Sequence, residues 1–309
     1  MTITIAWIRR IKDTVELVIA SDSRLRSFGA MDQCQKIFPL QRGDSALAFC
    51  GDADVAYPFF VQAASSLNAF IKTRTRAHDV HATAAILRKL LNNIVSSWDA
   101  SLKHKTESFK DTRILFCGWS WRRSSFQIGF FKFIDGKFVY LTATERLPKP
   151  WNERYPSLIV LGDYRSSYIQ ELGKVIARSN TYIHKRIPVF FDLQYEPIEA
   201  LNLLLKRANS DYGLNLIGGA PQIIKIYPHS NVLPIVVRME KSKHYLFGRK
   251  LFSWEKVEYP IVDLTFSPVR FYYPMSYVPR ASDVGTQAPI EGGVSSIRRL
   301  IFFLSSRGR

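Results

Sequence analysis

The sequence predicts an α+β fold over residues 1–240, with two β-sheets face to face and helices on the outer side of each. An irregular, basic extension over residues 241–309 is expected to wrap the core or a neighbouring subunit. Three observations carry this reading. Strand-like segments come in runs joined by short polar turns, which is the mark of antiparallel hairpins. Helical periodicity arrives twice, each time in two consecutive segments, which fits helices gathered on one side of a sheet. Strand and helix never alternate one by one, as a parallel doubly wound sheet requires.

Taken in order, Thr2-Ile3-Thr4-Ile5-Ala6-Trp7 alternates apolar, mostly β-branched side chains and reads as a buried strand. Its apolar run is too short for a secretory signal and is followed by Arg9, Arg10 and Lys12. Residues 15–20 return as a second strand that closes into Ser21-Asp22-Ser23-Arg24, and Ser27-Phe28-Gly29 makes a turn. Residues 35–40 form a short strand, with Pro39 marking an edge or strand end, and residues 45–50 form a buried one. The period then changes. Val55, Phe59, Phe60, Ala63, Leu67, Phe70 and Ile71 line a helix from residue 54 to 73, with Asp52 or Asp54 at its start. Ala82, Ala85, Ile86, Leu90, Ile94 and Val95 line a second. Strands follow at 113–119, 126–131, 137–142 and 157–162, the second and third of them joined at Asp135-Gly136. Helices at 164–178 and 197–210 precede strands at 221–226 and 233–239. Beyond residue 240, prolines at 260, 268, 274, 279 and 289 and the pair Gly292-Gly293 break the pattern.

Composition narrows the class. No stretch approaches the roughly 20 apolar residues that span a bilayer. Three cysteines, Cys34, Cys50 and Cys117, show no metal-ligand spacing, and an odd count without a secretory signal predicts reduced thiols in a cytoplasm. The net charge is +17 with basic residues scattered in small groups, which permits an acidic partner, nucleic acid included, without any recognised motif for one. His78 and His81 lack a third ligand nearby, so a solvated helix start is the simpler reading. Cys50 has no histidine to pair with and reads as core, as does Cys117. The aromatic run Phe271-Tyr272-Tyr273 with Tyr277 reads as cover for the core.

The start of the chain carries the chemistry. Once Met1 is removed, Thr2 offers a hydroxyl nucleophile and a free α-amine whose ordinary pKa, about 7.7–8.0, lets it serve as a base near neutrality. On these residues alone, a polar residue ahead of a strand is the simpler reading. More residues change it. Thr2-Ile3-Thr4-Ile5-Ala6-Trp7, Val18-Ile19-Ala20-Ser21-Asp22-Ser23-Arg24, Lys36-Ile37-Phe38, and Gly51 with Ala53-Asp54 opening a helix follow in an order that resembles the proteasome β-subunit family and its bacterial proteasome-like relatives, including the Anbu group. The likeness continues weakly to about residue 240, through Ala208-Asn209-Ser210-Asp211 and Gly218-Gly219-Ala220-Pro221.

That resemblance implies an N-terminal nucleophile hydrolase with a four-layer αββα sandwich, cutting peptide or other amide bonds through Thr2. It implies Lys36 beside Thr2, Asp22 as the carboxylate partner of Lys36, the backbone N–H at Gly51 facing the oxyanion, and Asp211 supporting the terminus from the other sheet. Ser23 and Arg24 are scaffold around Asp22. It also implies a homo-oligomer built as a ring or helical ring, a peptide or protein substrate, an ATP-driven unfoldase as partner, and neither cofactor nor metal. The sequence departs from the family pattern in places. The first hairpin is longer, and counting back from Asp54 puts Cys50 at the oxyanion position. The family's serine after its late aspartate is Leu214 here, and its mid-chain Gly-Ser-Gly is Leu161-Gly162-Asp163. Loss of those hydroxyls fits a catalytically silent scaffold or binding subunit as the alternative. A nucleic-acid-associated protein on the same fold is the third reading.

Overall fold

A computed structural model of the chain describes residues 2–11, 14–26, 29–98, 104–142, 158–182, 193–210, 216–228, 231–240, 243–255 and 258–272. The elements run β1 (Ile3–Ile11), β2 (Thr14–Ser21), β3 (Leu25–Arg26), β4 (Ala30–Met31), β5 (Ile37–Pro39), β6 (Ser45–Cys50), α1 (Ala53–Ala69), α2 (Ile71–Arg74), α3 (Val80–Ser96) and α4 (His104–Asp111). They continue as β7 (Arg113–Ser120), β8 (Ser125–Ile134), β9 (Lys137–Thr142), β10 (Leu158–Gly162), α5 (Arg165–Tyr182), α6 (Glu196–Ser210), β11 (Gln222–Tyr227), β12 (Asn231–Glu240), β13 (Lys243–Leu246), β14 (Arg249–Lys250), β15 (Ile261–Asp263) and β16 (Arg270–Tyr272). The fold is α+β, with helices and open, mainly antiparallel sheets.

Among the described residues, one sheet is ordered β10-β1-β2-β11-β12-β13-β14, with β15 and β16 joined beside β12, and a second is ordered β5-β6-β7-β8-β9. Every pairing is antiparallel except β12 with β15. Strand periodicity explains why both faces of these two larger sheets carry apolar side chains. On β1, Ile3, Ile5 and Trp7 pack with α5 and α6 residues such as Tyr168, Leu172, Leu201 and Leu205, while Ala6 points to the other side. On β6, Leu47 and Phe49 pack with Phe59, Phe60 and Leu87 from α1 and α3, while Ala46, Ala48 and Cys50 point away from those helices. The opposite faces of the two sheets share one further cluster, in which Ala6, Leu17 and Ile19 lie with Ala46, Ala48, Leu115 and Cys117.

Several expectations are corrected. The helix expected to reach residue 73 stops at Ala69, where Phe70 is extended (φ −91°, ψ 112°). The hydroxyl of Thr73 donates to Leu67 O at 2.5 Å and takes up a carbonyl that the last turn of the helix leaves open. α4 is new: it is a short polar segment that, among its described side chains, places Phe109 in the core. Regular structure does not end at residue 240. β13 and β15 both pair with β12, so residues 243–272 extend the larger sheet. Ser27 and Phe28, Asp211 and Leu214, the proline-rich loop at 148–156, and everything from residue 273 lie outside the described residues.

Candidate active site

Strand ends bring the site together. Thr2 directly precedes β1, Asp22 directly follows β2, and Gly51 directly follows β6. Lys36 stands one residue before β5, not within a strand as expected. The Lys36 Nζ donates to Thr2 Oγ1 at 2.9 Å and to Asp22 Oδ1 at 2.9 Å. All three side chains are buried. A buried ammonium needs a carboxylate partner, and Asp22 supplies it. The carboxylate has further donors: Ile3 N–H to Oδ1 at 3.2 Å, Arg24 N–H to Oδ2 at 3.2 Å and Gly218 N–H to Oδ2 at 3.3 Å. Asp22 thus ties the start of β1, the end of β2 and the loop before β11 to one charge.

Gly51 is reached by a different route. The β6–β7 ladder ends at Cys50 opposite Arg113, so Gly51 is the first residue past it. Thr4, two residues after Thr2, donates its hydroxyl to Phe49 O at 2.9 Å, two residues before Gly51. That bond holds the strand of the proposed nucleophile to the strand of the proposed oxyanion donor. Gly51 has φ +101°, and a Cβ there would lie 2.5 Å from Asp111 O at the end of α4, so both backbone and space require glycine. The Cys50 thiol is pushed up to about 12, chiefly by burial, and stays protonated, which leaves it unsuited to act as a nucleophile.

Two residues complete the arrangement, one without any motif and one that the sequence shows only as a departure from a family pattern. Gln222, at the start of β11, is fully buried and accepts from Lys36 N–H at 2.9 Å and from Ile37 N–H at 3.3 Å through Oε1. Its Nε2 donates to Cys34 O at 2.5 Å and to Asp22 O at 3.4 Å. One amide therefore holds the backbone on both sides of the Lys36–Asp22 pair. Glutamine in a strand carries no signature, and only the three-dimensional contacts reveal it. Gln222→Leu strands buried donors and acceptors, so a loss of about 2–4 kcal/mol is expected in urea unfolding, at about 1–3 kcal/mol per unsatisfied group. A change below about 0.5 kcal/mol, the range of ordinary surface substitutions, would contradict this role. The second is Gly162, at the end of β10. It has φ +116°, and an added Cβ would run into Thr2 O. Asp163 N–H donates to that same carbonyl at 3.3 Å.

No family model matches this chain, and no curated protein matches it. The site is therefore read from its own geometry. Among the described residues, no cluster of three or more His, Cys, Asp or Glu is placed to hold a metal ion. Likewise, no helix among them is long and apolar enough to cross a membrane. Two cavities, of about 550 Å³ and about 310 Å³, lie between α3 and β9 and around Trp119 and Trp121, and neither is lined by Thr2, Asp22 or Lys36. Asp211, expected to support the terminus, lies outside the described residues.

Proposed function

We propose that this chain is a cytoplasmic threonine-type N-terminal nucleophile hydrolase, cleaving peptide or other amide bonds through Thr2 after removal of Met1. The observation that carries the reading is the 2.9 Å contact of the buried Lys36 ammonium with Thr2 Oγ1, with Asp22 on the same nitrogen. A positive charge at that distance favours the alkoxide over the hydroxyl. In this mechanism Thr2 Oγ attacks the amide carbonyl. The α-amine of Thr2 takes the hydroxyl proton, directly or through water, and passes it to the leaving amine. The Gly51 N–H receives the oxyanion; loss of such a donor typically raises a barrier by about 2.7–4 kcal/mol. Water then releases the acyl group by the same steps in reverse roles. The family's four-layer αββα sandwich belongs to this proposal. It is supported by the three apolar clusters: α5 and α6 on one sheet, α1 and α3 on the other, and a shared cluster between them. Assembly into a homo-oligomeric ring or helical ring, served by an ATP-driven unfoldase, is proposed with it.

One observation favours a second reading, a silent proteasome-like scaffold: Thr2 and Lys36 have no exposed surface. The state of the terminus separates the two. With Met1 attached, the Thr2 nitrogen is an amide and has no basicity. Intact-mass measurement of protein isolated from its native source is expected to show Met1 gone, together with hydrolysis of fluorogenic peptides that Thr2→Ala abolishes. A retained Met1 in an inert protein would establish the scaffold reading instead.

A further inference from the structure

Most cations that sit in the interior of this fold are matched. Arg9, Arg24, Arg42, Lys225 and Arg238 each meet a carboxylate. The concavity between the C-terminal half of α3 and the edge strand β9 is different. It holds about 550 Å³ and is lined by Arg88 and Lys89 from the helix and Lys137 from the strand, with Asn93 and Ser96 beside them. None of these three cations has an ion-pair partner among the described residues. No carboxylate lines the groove, Asp135 in the turn before Lys137 included. Like charges around a concave, low-dielectric wall focus their field into it.

We infer that this groove binds the phosphodiester backbone of single-stranded nucleic acid. The cations supply the charge, and the amide of Asn93 and the hydroxyl of Ser96 supply donors for phosphate oxygens. A concavity of this size takes a phosphate with its sugar, not the width of a duplex. The net charge of +17 draws a polyanion from a distance. No exposed aromatic ring lines the groove, so it offers no stacking platform and binding is independent of sequence. An acidic peptide fits less well. It would gain main-chain pairing from an open strand edge, but the backbone of Phe138 is already taken. Asn92 Nδ2 donates to Phe138 O at 2.9 Å, and Phe138 N–H donates to Asn92 Oδ1 at 2.7 Å. The groove lies outside the Thr2 site and does not depend on the hydrolase reading.

Fluorescence anisotropy with a labelled oligothymidylate tests the inference. Three phosphate contacts on a single strand set a log–log salt slope of about −2, so affinity is expected to fall about 15–20-fold between 50 and 200 mM salt. Arg88→Gln/Lys89→Gln/Lys137→Gln is expected to remove about 2 from that slope and at least about tenfold in affinity at 50 mM. Lys72→Gln/Arg74→Gln/Arg122→Gln removes the same charge from exposed positions elsewhere and is expected to leave the groove contacts intact. If the groove triple fails to fold, Lys137→Gln alone, at an exposed position, is expected to lower the slope by about 0.7. Equal losses in both triples would show diffuse attraction and overturn the groove assignment. So would absence of wild-type binding at 50 mM. Displacement of the oligonucleotide by polyglutamate at matched charge would overturn the ligand class.

Discussion

Replacing Asp22 with alanine is expected to destabilise the folded chain by about 3–5 kcal/mol, the usual effect of leaving a buried charge without its partner. Domains of ordinary stability hold about 5–15 kcal/mol in total, so the variant retains little margin. The reason is local. Asp22 is fully buried and accepts from the Lys36 ammonium and from the backbone N–H groups of Ile3, Arg24 and Gly218. Lys36→Met is expected to cost a similar amount, because it leaves the carboxylate as the unpaired charge. The double replacement removes both charges and is expected to lose clearly less than the sum, with a coupling within the range of about 0.5–3 kcal/mol found for residues in contact. Urea unfolding of the four proteins measures this cycle. Strict additivity would mean that the 2.9 Å Lys36–Asp22 contact contributes nothing to the folded state. All three variants are also expected to lose Thr2 reactivity, because the ammonium no longer has its place beside Oγ1.

Gly162→Ala is expected to have the second largest effect. The position has φ +116°, which alone costs a residue other than glycine about 1–3 kcal/mol. The added Cβ would also occupy the space of Thr2 O, so the terminus must move. A displacement near 1 Å at a reacting group typically costs about 100-fold in rate. Gly43→Ala is the control: φ is +76° there, and an added Cβ meets nothing within 4 Å. Both variants are expected to lose stability in thermal unfolding, but only Gly162→Ala is expected to lose acylation rate. Equal acylation rates in the two would show that the contact between Gly162 and Thr2 does not position the nucleophile.

These residues show what the sequence makes legible. Alternation marks β1 because Ile3, Ile5 and Trp7 face the helices while the smaller Thr4 and Ala6 face the other way, and that period of two is visible in the chain. Thr2, Asp22 and Lys36 are legible in the sequence only through the order in which they follow one another, which resembles a known family; on its own, Thr2 reads as a polar residue ahead of a strand. Gln222 did not stand out, since its role is to satisfy backbone groups of Asp22, Cys34, Lys36 and Ile37 from nearly two hundred residues away. Gly162 was noted only as a departure from a family pattern; its approach to Thr2 depends on β10 pairing with β1 across more than 150 residues. α4 escaped because an eight-residue polar helix with one buried aromatic has no stripe. The strands beyond residue 240 escaped because they are short and interrupted by prolines, and because β15 gains its place by pairing with β12, not from its own pattern. The turn between β13 and β14 even reaches the site: the space beside Gly248 is filled by Ser23 and Gln222.

The central claim is that Thr2 is a nucleophile activated by Lys36. Its most direct test is covalent. Protein with Met1 removed, treated with a β-lactone, digested and sequenced by tandem mass spectrometry, is expected to carry one acyl group on the Thr2 hydroxyl, and Thr2→Ala is expected to carry none. An unmodified Thr2 in the processed chain, or labelling that persists in Thr2→Ala, would contradict it.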